Sequence, residues 1–331
     1  MTKCLIITPN QGGVEYHRLF RPSDLLTKTG RFEMYHTNIL NHSNFDVLDE
    51  GFDWVIFSRM LCVEDVDISQ DVFDAVKKSG AKIVVDVDDY WKLHHGHLLE
   101  KHWHKMKFEQ RTVFALKNAD MVWTTHTHLA DQVPNKNVHV IPNAIDPTEE
   151  QWQPSKVEDY RIGWFGSAAH EKDVETIAKQ FTNWKRSNPS VKVLSPYNEH
   201  QSYVWLGIAK SLGECGMMNT MDVWNYGKMY DQVSVSIAPL ADNVFNSFKS
   251  ELKAIEAGFK GKAFMCTKMH PYTLCCTKGN SELFRPSNLI KSLNRMKDKA
   301  YREDKAITLS EHVRRLYDLR VVNKLREQLL E

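Results

Sequence analysis

The sequence predicts an α/β protein of two Rossmann-like domains facing each other across a cleft, and three observations carry that expectation. Its 331 residues are long for one α/β domain and comfortable for two of roughly 150 each. Short apolar runs alternate throughout with amphipathic stretches, the rhythm of strand-helix-strand units around a parallel sheet. Near the middle, residues 142–160 (PNAIDPTEEQWQPSKVEDY) hold three prolines and no helical or strand period, so they read as a linker. The expected division is 1–147, 148–303 and a closing helix at 304–331.

In the first half, strands are expected at 4–8, 32–37, 54–58, 82–87, 121–125 and 138–141, with helices at 72–78 and 98–118. After the linker, strands are expected at 161–165, 191–194, 233–238 and 262–266, with helices at 174–184, 222–229 and 249–258. From 288 to 330 the chain is highly charged with Leu, Ile and Val at helical spacing, which predicts two or three closing helices.

Composition narrows the class. With 42% hydrophobic and 26% charged residues the chain can bury real cores. Forty-three Lys and Arg against 42 Asp and Glu leave a net charge of +1, so no global field draws it to nucleic acid or an anionic membrane, and any basic surface must be local. No apolar run approaches the ~20 residues that span a bilayer, and the first eight residues look like a strand instead of a signal peptide. A cytoplasmic protein is expected. Cys4, Cys62, Cys215, Cys266, Cys275 and Cys276 show no C-x-x-C pair and read as reduced core thiols.

Five segments carry chemistry. In PNQGGVEYHR, Gly12 and Gly13 lie between a strand and a helix, where backbone amides can approach an anion or simply make a tight turn. In IGWFGSAAHEKD, Gly166, Ser167, His170 and Lys172 repeat that arrangement. In IAPLADNVFNSFKSELKAIEAGFKG a strand ends at Pro239-Leu240, an Asn-containing loop with Asn246 follows, and a helix bearing Lys249, Ser250, Lys253 and Glu256 is expected to present the cations and the acid near one face. Cations and amides suit a diphosphate, and a carboxylate further along can accept ribose hydroxyls. In DVDDYW, Asp86, Asp88 and Asp89 end a buried strand and could bind an acceptor, remove a proton, hold a divalent ion or cap the strand. Behind it, Trp91, His94, His95 and the Lys- and His-rich run to Arg111 form either a solvated helix face, a zinc site or a grip on a phosphate-bearing acceptor.

Together, QGGVEYHRLFRP, VVDVDDYW, VHVIPNAID, RIGWFGS with His170 and Asp173, and APLADNVFNSFKSELKAIEAG resemble, in that order, the group 1, family-four-like glycosyltransferases of GT-B architecture. The resemblance implies transfer of a hexosyl or pentosyl group from a nucleoside-diphosphate sugar, such as a UDP-sugar, to a hydroxyl, with retention. It implies no cofactor and no metal. Glu256 would bind the donor ribose, with Lys249, Ser250 and Lys253 at the diphosphate and Gly12, Gly13, Gly166, Ser167 and Asn246 completing the donor site. Asp88, Asp89 and His170 are the catalytic candidates, and Tyr16, Arg18, Trp91, His94 and His95 the acceptor-binding ones. Eight residues before Glu256, where many such enzymes carry a second acid, this chain has Phe248. The expected acceptor is a saccharide or small hydroxyl compound. The alternatives are a nucleic acid, as for phage-type enzymes that decorate hydroxylated bases, and a non-catalytic nucleotide-sugar binding protein. A dehydrogenase would want G-x-G-x-x-G after the first strand, and QGGVEYHR lacks it.

Overall fold

A computed structural model describes residues 1–62 and 66–331. The chain divides into two compact units, one of Met1–Ala144, Phe248–Ser250 and Leu319–Glu331, the other of Ile145–Ser247 and Glu251–Asp318. The first unit thus takes its last helix from the C-terminus and three residues from the middle of the second half, neither of which was assigned to it from sequence.

In the first unit β1 (Thr2–Ile7), β2 (Phe32–Thr37), β3 (Trp54–Ser58), β4 (Lys82–Val87), β5 (Met121–Thr124) and β6 (Val138–Val140) form one parallel sheet in the order β2-β1-β3-β4-β5-β6. Alternation sends Leu5, Ile7, Val55, Phe57, Ile83 and Val85 into one core and Cys4, Ile6, Trp54, Ile56 and Val84 into the other. Both faces are covered, which is why β3, β4 and β5 read as continuous apolar runs. Helix Leu319–Leu330 closes the second core with Leu319, Val322 and Leu330, each side chain contributing about 1.5–3 kcal/mol of burial.

The second unit also has a parallel six-stranded sheet, of β7 (Arg161–Gly163), β8 (Lys192–Tyr197), β9 (Gly216–Asn219), β10 (Val235–Ala238), β11 (Ala263–Thr267) and β12 (Glu282–Phe284), in the order β12-β11-β10-β7-β8-β9. The order reverses between β7 and β10, as in doubly wound nucleotide-binding folds. Helices Leu252–Phe259 and Lys299–Leu316 pack so closely at Gly258 that an added Cβ would lie 2.6 Å from Val313. All six cysteines are buried and free. Among the described residues no helix is long and apolar enough to cross a membrane.

Candidate active site

In an open parallel sheet, ligands bind beyond the carboxyl ends of the strands where the order reverses. In the first unit that point lies between β1 and β3. The loop after β1 brings Glu15 back over it, where the carboxylate accepts the amide of Gly12 at 3.2 Å and the hydroxyl of Ser58 at 3.2 Å. The glycine turn is therefore capped by the chain's own acid. A π-helical turn, Tyr16–Phe20, follows. It turns Tyr16 and Arg18 inward, each 1% exposed, and places them beneath the strand ends instead of at the surface. Arg18 donates to Asp86 at 2.6 Å and to the carbonyl of Ile141 at 2.5 Å, so Asp86 is a buried strut.

Asp88 and Asp89 sit at the tip. Arg59, just past β3, faces them in the left-handed backbone region at φ 66°, a conformation that costs a non-glycine residue about 1–3 kcal/mol and recurs at functional sites. Its Nε and terminal nitrogen meet Asp88 at 2.8 Å, and Asp89 lies at 3.6 Å. Burial raises the Asp88 carboxyl to about 6; Arg59 opposes the rise and the neighbouring Asp89 and Asp86 add to it. A carboxyl in that range can exchange a proton at neutral pH. Lys249 reaches Asp89 at 3.8 Å.

That last contact corrects an expectation. Lys249 and Ser250 are not on the helix with Lys253 and Glu256: one short helix ends at Ser247 and the next begins at Leu252. The break has a cause in the first unit. The Phe248 ring is sandwiched between Tyr90, 4.5 Å between centroids, and His128, at 4.3 Å. Its carbonyl accepts from His126 Nε2 at 3.1 Å, the tautomer being set by the Leu129 amide donating to Nδ1. Asn143 donates to the Ser250 hydroxyl at 2.8 Å. These bonds compete with helical ones, and they give Phe248 a packing role at the position where an acid was looked for.

Trp91 is buried, and its carbonyl accepts from Trp103 Nε1 at 2.9 Å. His94 is half-buried, with Nδ1 2.9 Å from the carbonyl of His95, while His95 is exposed. Glu100 organises the turn, accepting from Gly96 at 2.8 Å and contacting His95 at 3.1 Å; the backbone amide leads in holding its carboxyl below the usual range. Lys101, His102, His104, Lys105 and Lys107 are exposed. The long helix expected at 98–118 is two, Glu100–Lys105 and Phe108–Asn118, interrupted where Lys107 adopts φ 51°.

In the second unit the loops after β7 and β10 meet at one carboxylate. Asp173 holds His170 Nδ1 at 2.6 Å with one oxygen; the other accepts the Ala241 amide at 2.9 Å and Asn246 Nδ2 at 2.6 Å. Gly166 lies in this loop with the Trp164 ring so close that a Cβ would stand 2.5 Å from it, and Ser167, exposed, precedes the short 3-10 turn to His170. Lys253 donates to the Phe165 carbonyl at 2.7 Å. Glu256, one turn on and 4% exposed, accepts the hydroxyl of Tyr230 at 2.8 Å, and the Phe165 ring lies 4.3 Å from that of Tyr230. The arrangement is a carboxylate that already accepts a hydroxyl, a cation, and a loop of amides, held within one doubly wound unit.

Sequence reasoning did not single out Glu15, Arg59, His126 or Tyr230. Arg59 had one signal, its place directly after a strand whose neighbour ends in the aspartates. Among the described residues, no group of three His, Cys, Asp or Glu is placed to hold a metal ion.

No family model and no curated protein matches the sequence. Solved structures do. A glycosyltransferase of Rickettsia africae superposes with a TM-score of 0.70 at 10% identity, covering 99% of this chain and 97% of that one. HepE of Anabaena, solved with UDP and glucose, gives 0.69 at 12% identity over 100% and 99%. A UDP-forming trehalose-phosphate synthase of Burkholderia xenovorans gives 0.64 at 12% over 100% and 99%. At such identities what is shared is the fold, and it is that of GT-B glycosyltransferases.

Proposed function

We propose that the protein is a glycosyltransferase that binds a nucleoside-diphosphate sugar on its second unit and transfers the sugar, with retention, to a hydroxyl acceptor bound by the first. The observation that carries this reading is the cluster at the β7/β10 reversal, where Asp173 ties His170, Ala241 and Asn246 together beside Lys253 and Glu256. Glu256 accepts the ribose hydroxyls; Lys253, His170 and the amides around Gly166 and Ser167 stabilise the departing diphosphate. In the transfer the bond from the anomeric carbon to the diphosphate oxygen breaks, and one to the acceptor oxygen forms. The acceptor's proton passes to Asp88, whose carboxyl at about 6 is ionised at neutral pH. Arg59 and Lys249 hold the aspartate pair. HepE and the trehalose-phosphate synthase, by their names and bound molecules, work with UDP, which makes uridine the first base to try. The test is a thermal-shift panel of nucleoside diphosphates and their sugars, since a ligand that binds only the native state raises its melting point. A shift for one diphosphate and its sugars is expected; a flat panel would remove the donor site.

The exposed Lys101, Lys105 and Lys107 with His102 and His104 favour a second reading of the acceptor, a nucleic acid. Phosphate contacts release counterions, so log K would fall by about 0.7–0.9 per contact per decade of salt. Mobility shifts with DNA at two salt concentrations separate the readings, and no shift at low salt leaves the saccharide.

A further inference from the structure

Each six-stranded sheet ends in two edge strands, and an edge offers unpaired amides and carbonyls on which another chain can build. Three of the edges are guarded: β2 contains Glu33, β12 contains Glu282, and β6 lies between Lys136 and Pro142. Charge and proline are how sheets keep their edges apart. The fourth edge, β9, has neither. Residues 215–221 read CGMMNTM, and Gly216–Asn219 is mostly exposed. Among the described residues no strand pairs with its outer side.

The register with β8 shows which groups face out. The Thr220 amide donates to the Tyr197 carbonyl at 3.0 Å, and Tyr197 is the ladder partner of Asn219. In a parallel ladder, alternate residues turn their amide and carbonyl to opposite sides, so Met218 bonds to β8 while Met217 and Asn219 present both groups outward. Met217, paired with Ser195, lies on the face covered by helix Ser202–Ser211, whose Val204, Trp205 and Ile208 enter the core beside Val193. Tyr203 and Leu206, on the outward side of that helix, are 71% and 54% exposed, and Met217 is 45% exposed.

We infer that this edge is where two copies of the chain join, β9 pairing antiparallel with β9 of the second copy about a two-fold axis through Met218. A two-fold contact must be complementary to itself, and this edge is: Met217 of one copy faces Asn219 of the other, and each such pair exchanges both of its outward bonds. The Met218 residues meet at the axis as a non-hydrogen-bonded pair, with Cα atoms about 4.5 Å apart. Residues 215–221 bring no charge to oppose the approach. The exposed side chains of Tyr203, Leu206 and Met217 add on the order of 300 Å² per copy to the paired strands, which brings the total toward the roughly 1,200 Å² at which specific interfaces begin. The inference goes beyond the transferase reading and does not depend on it.

Sedimentation velocity across micromolar concentrations tests it. The wild type should move at twice the mass of one chain. Met218→Lys sets two ammonium groups against each other and should weaken the dimer about ten-fold or more, whereas an equimolar mixture with Met218→Glu should restore it. Met218→Cys gives a second readout, because cysteines in a non-hydrogen-bonded pair stand within disulfide reach and the six native thiols are buried. Mild oxidation with copper-phenanthroline should link Met218→Cys chains into a covalent dimer and leave Met217→Cys chains single, since the Met217 residues lie diagonally across the axis. A wild type that stays monomeric at every concentration would overturn the inference. So would a dimer that survives Met218→Lys, or one in which Met218→Cys fails to cross-link, since either joins through another face. Should Met218→Lys fail to fold, the two cysteine variants decide.

Discussion

Both units place a carboxylate where their strand order reverses, and the two are used differently. In the first, Glu15 joins the β1 and β3 loops through two bonds of 3.2 Å, and next to it lie Arg59, Asp88, Asp89 and Lys249. In the second, Asp173 joins the β7 and β10 loops through bonds of 2.6, 2.9 and 2.6 Å, and Lys253, Glu256 and Tyr230 follow. The same topology gives the same place. What differs is whether that place is filled with opposed charges, whose protonation responds to small changes, or with short bonds to one anchored acid, which fix geometry. The first arrangement suits moving a proton, the second suits holding a ligand still.

The sharpest way to break the comparison is to remove the anchors. Asp173→Ala strips three partners from a buried acid and should cost the second unit about 3–5 kcal/mol. Glu15→Ala, losing two long bonds, should cost about 1–2 kcal/mol. Calorimetric unfolding of the two variants checks this, and equal losses would mean the two carboxylates are not used differently.

A smaller effect on the fold but a large one on rate is expected in the charged pocket. Asp88→Asn should slow turnover about 10²–10⁴-fold while the affinity for the nucleoside diphosphate holds. In the wild type the native state keeps the Asp88 proton up to about pH 6, whereas an unfolded aspartate releases it near 4. The contribution of this group to stability is therefore full below about pH 4 and is lost as the pH rises through about 6, the interval in which the base is generated. The rate should climb through about pH 6. Because Arg59 holds the carboxyl down, Arg59→Gln should move that limb to higher pH; a limb that stays put, or moves lower, would take Arg59 out of the proton-transfer site.

Much of this was legible where burial writes itself into sequence. The strands expected at 54–58 and 82–87 are β3 and β4, apolar on both faces, and the strand expected at 32–37 is β2, which the structure puts at the sheet edge. The outer strands β9 and β12 gave no such signal: Gly216–Asn219 is mostly exposed, and Glu282–Phe284 is three residues long. Among the closing elements three helices stand where two or three were expected, and the helix expected at 222–229 is a 3-10 turn at Tyr226–Gln232. The loops bearing Gly12, Gly166 and Asn246 could be picked out because glycine and polar residues punctuate strand ends. The partners of those loops could not. Phe248 stacking on Tyr90 and His128, Arg59 reaching Asp88, and Tyr230 donating to Glu256 join residues far apart in sequence, and neither spacing nor periodicity records a tertiary contact.

The central claim is that the second unit holds the donor nucleotide through Glu256, and titration calorimetry on Glu256→Gln tests it most directly. Glutamine is nearly isosteric and can still accept the Tyr230 hydroxyl, so the fold should be kept while the charge-assisted bond to the ribose is lost. Such a bond contributes about 1.5–3 kcal/mol. The predicted result is a nucleoside-diphosphate affinity about ten-fold to a hundred-fold weaker at an unchanged melting temperature; an unchanged affinity would contradict the account.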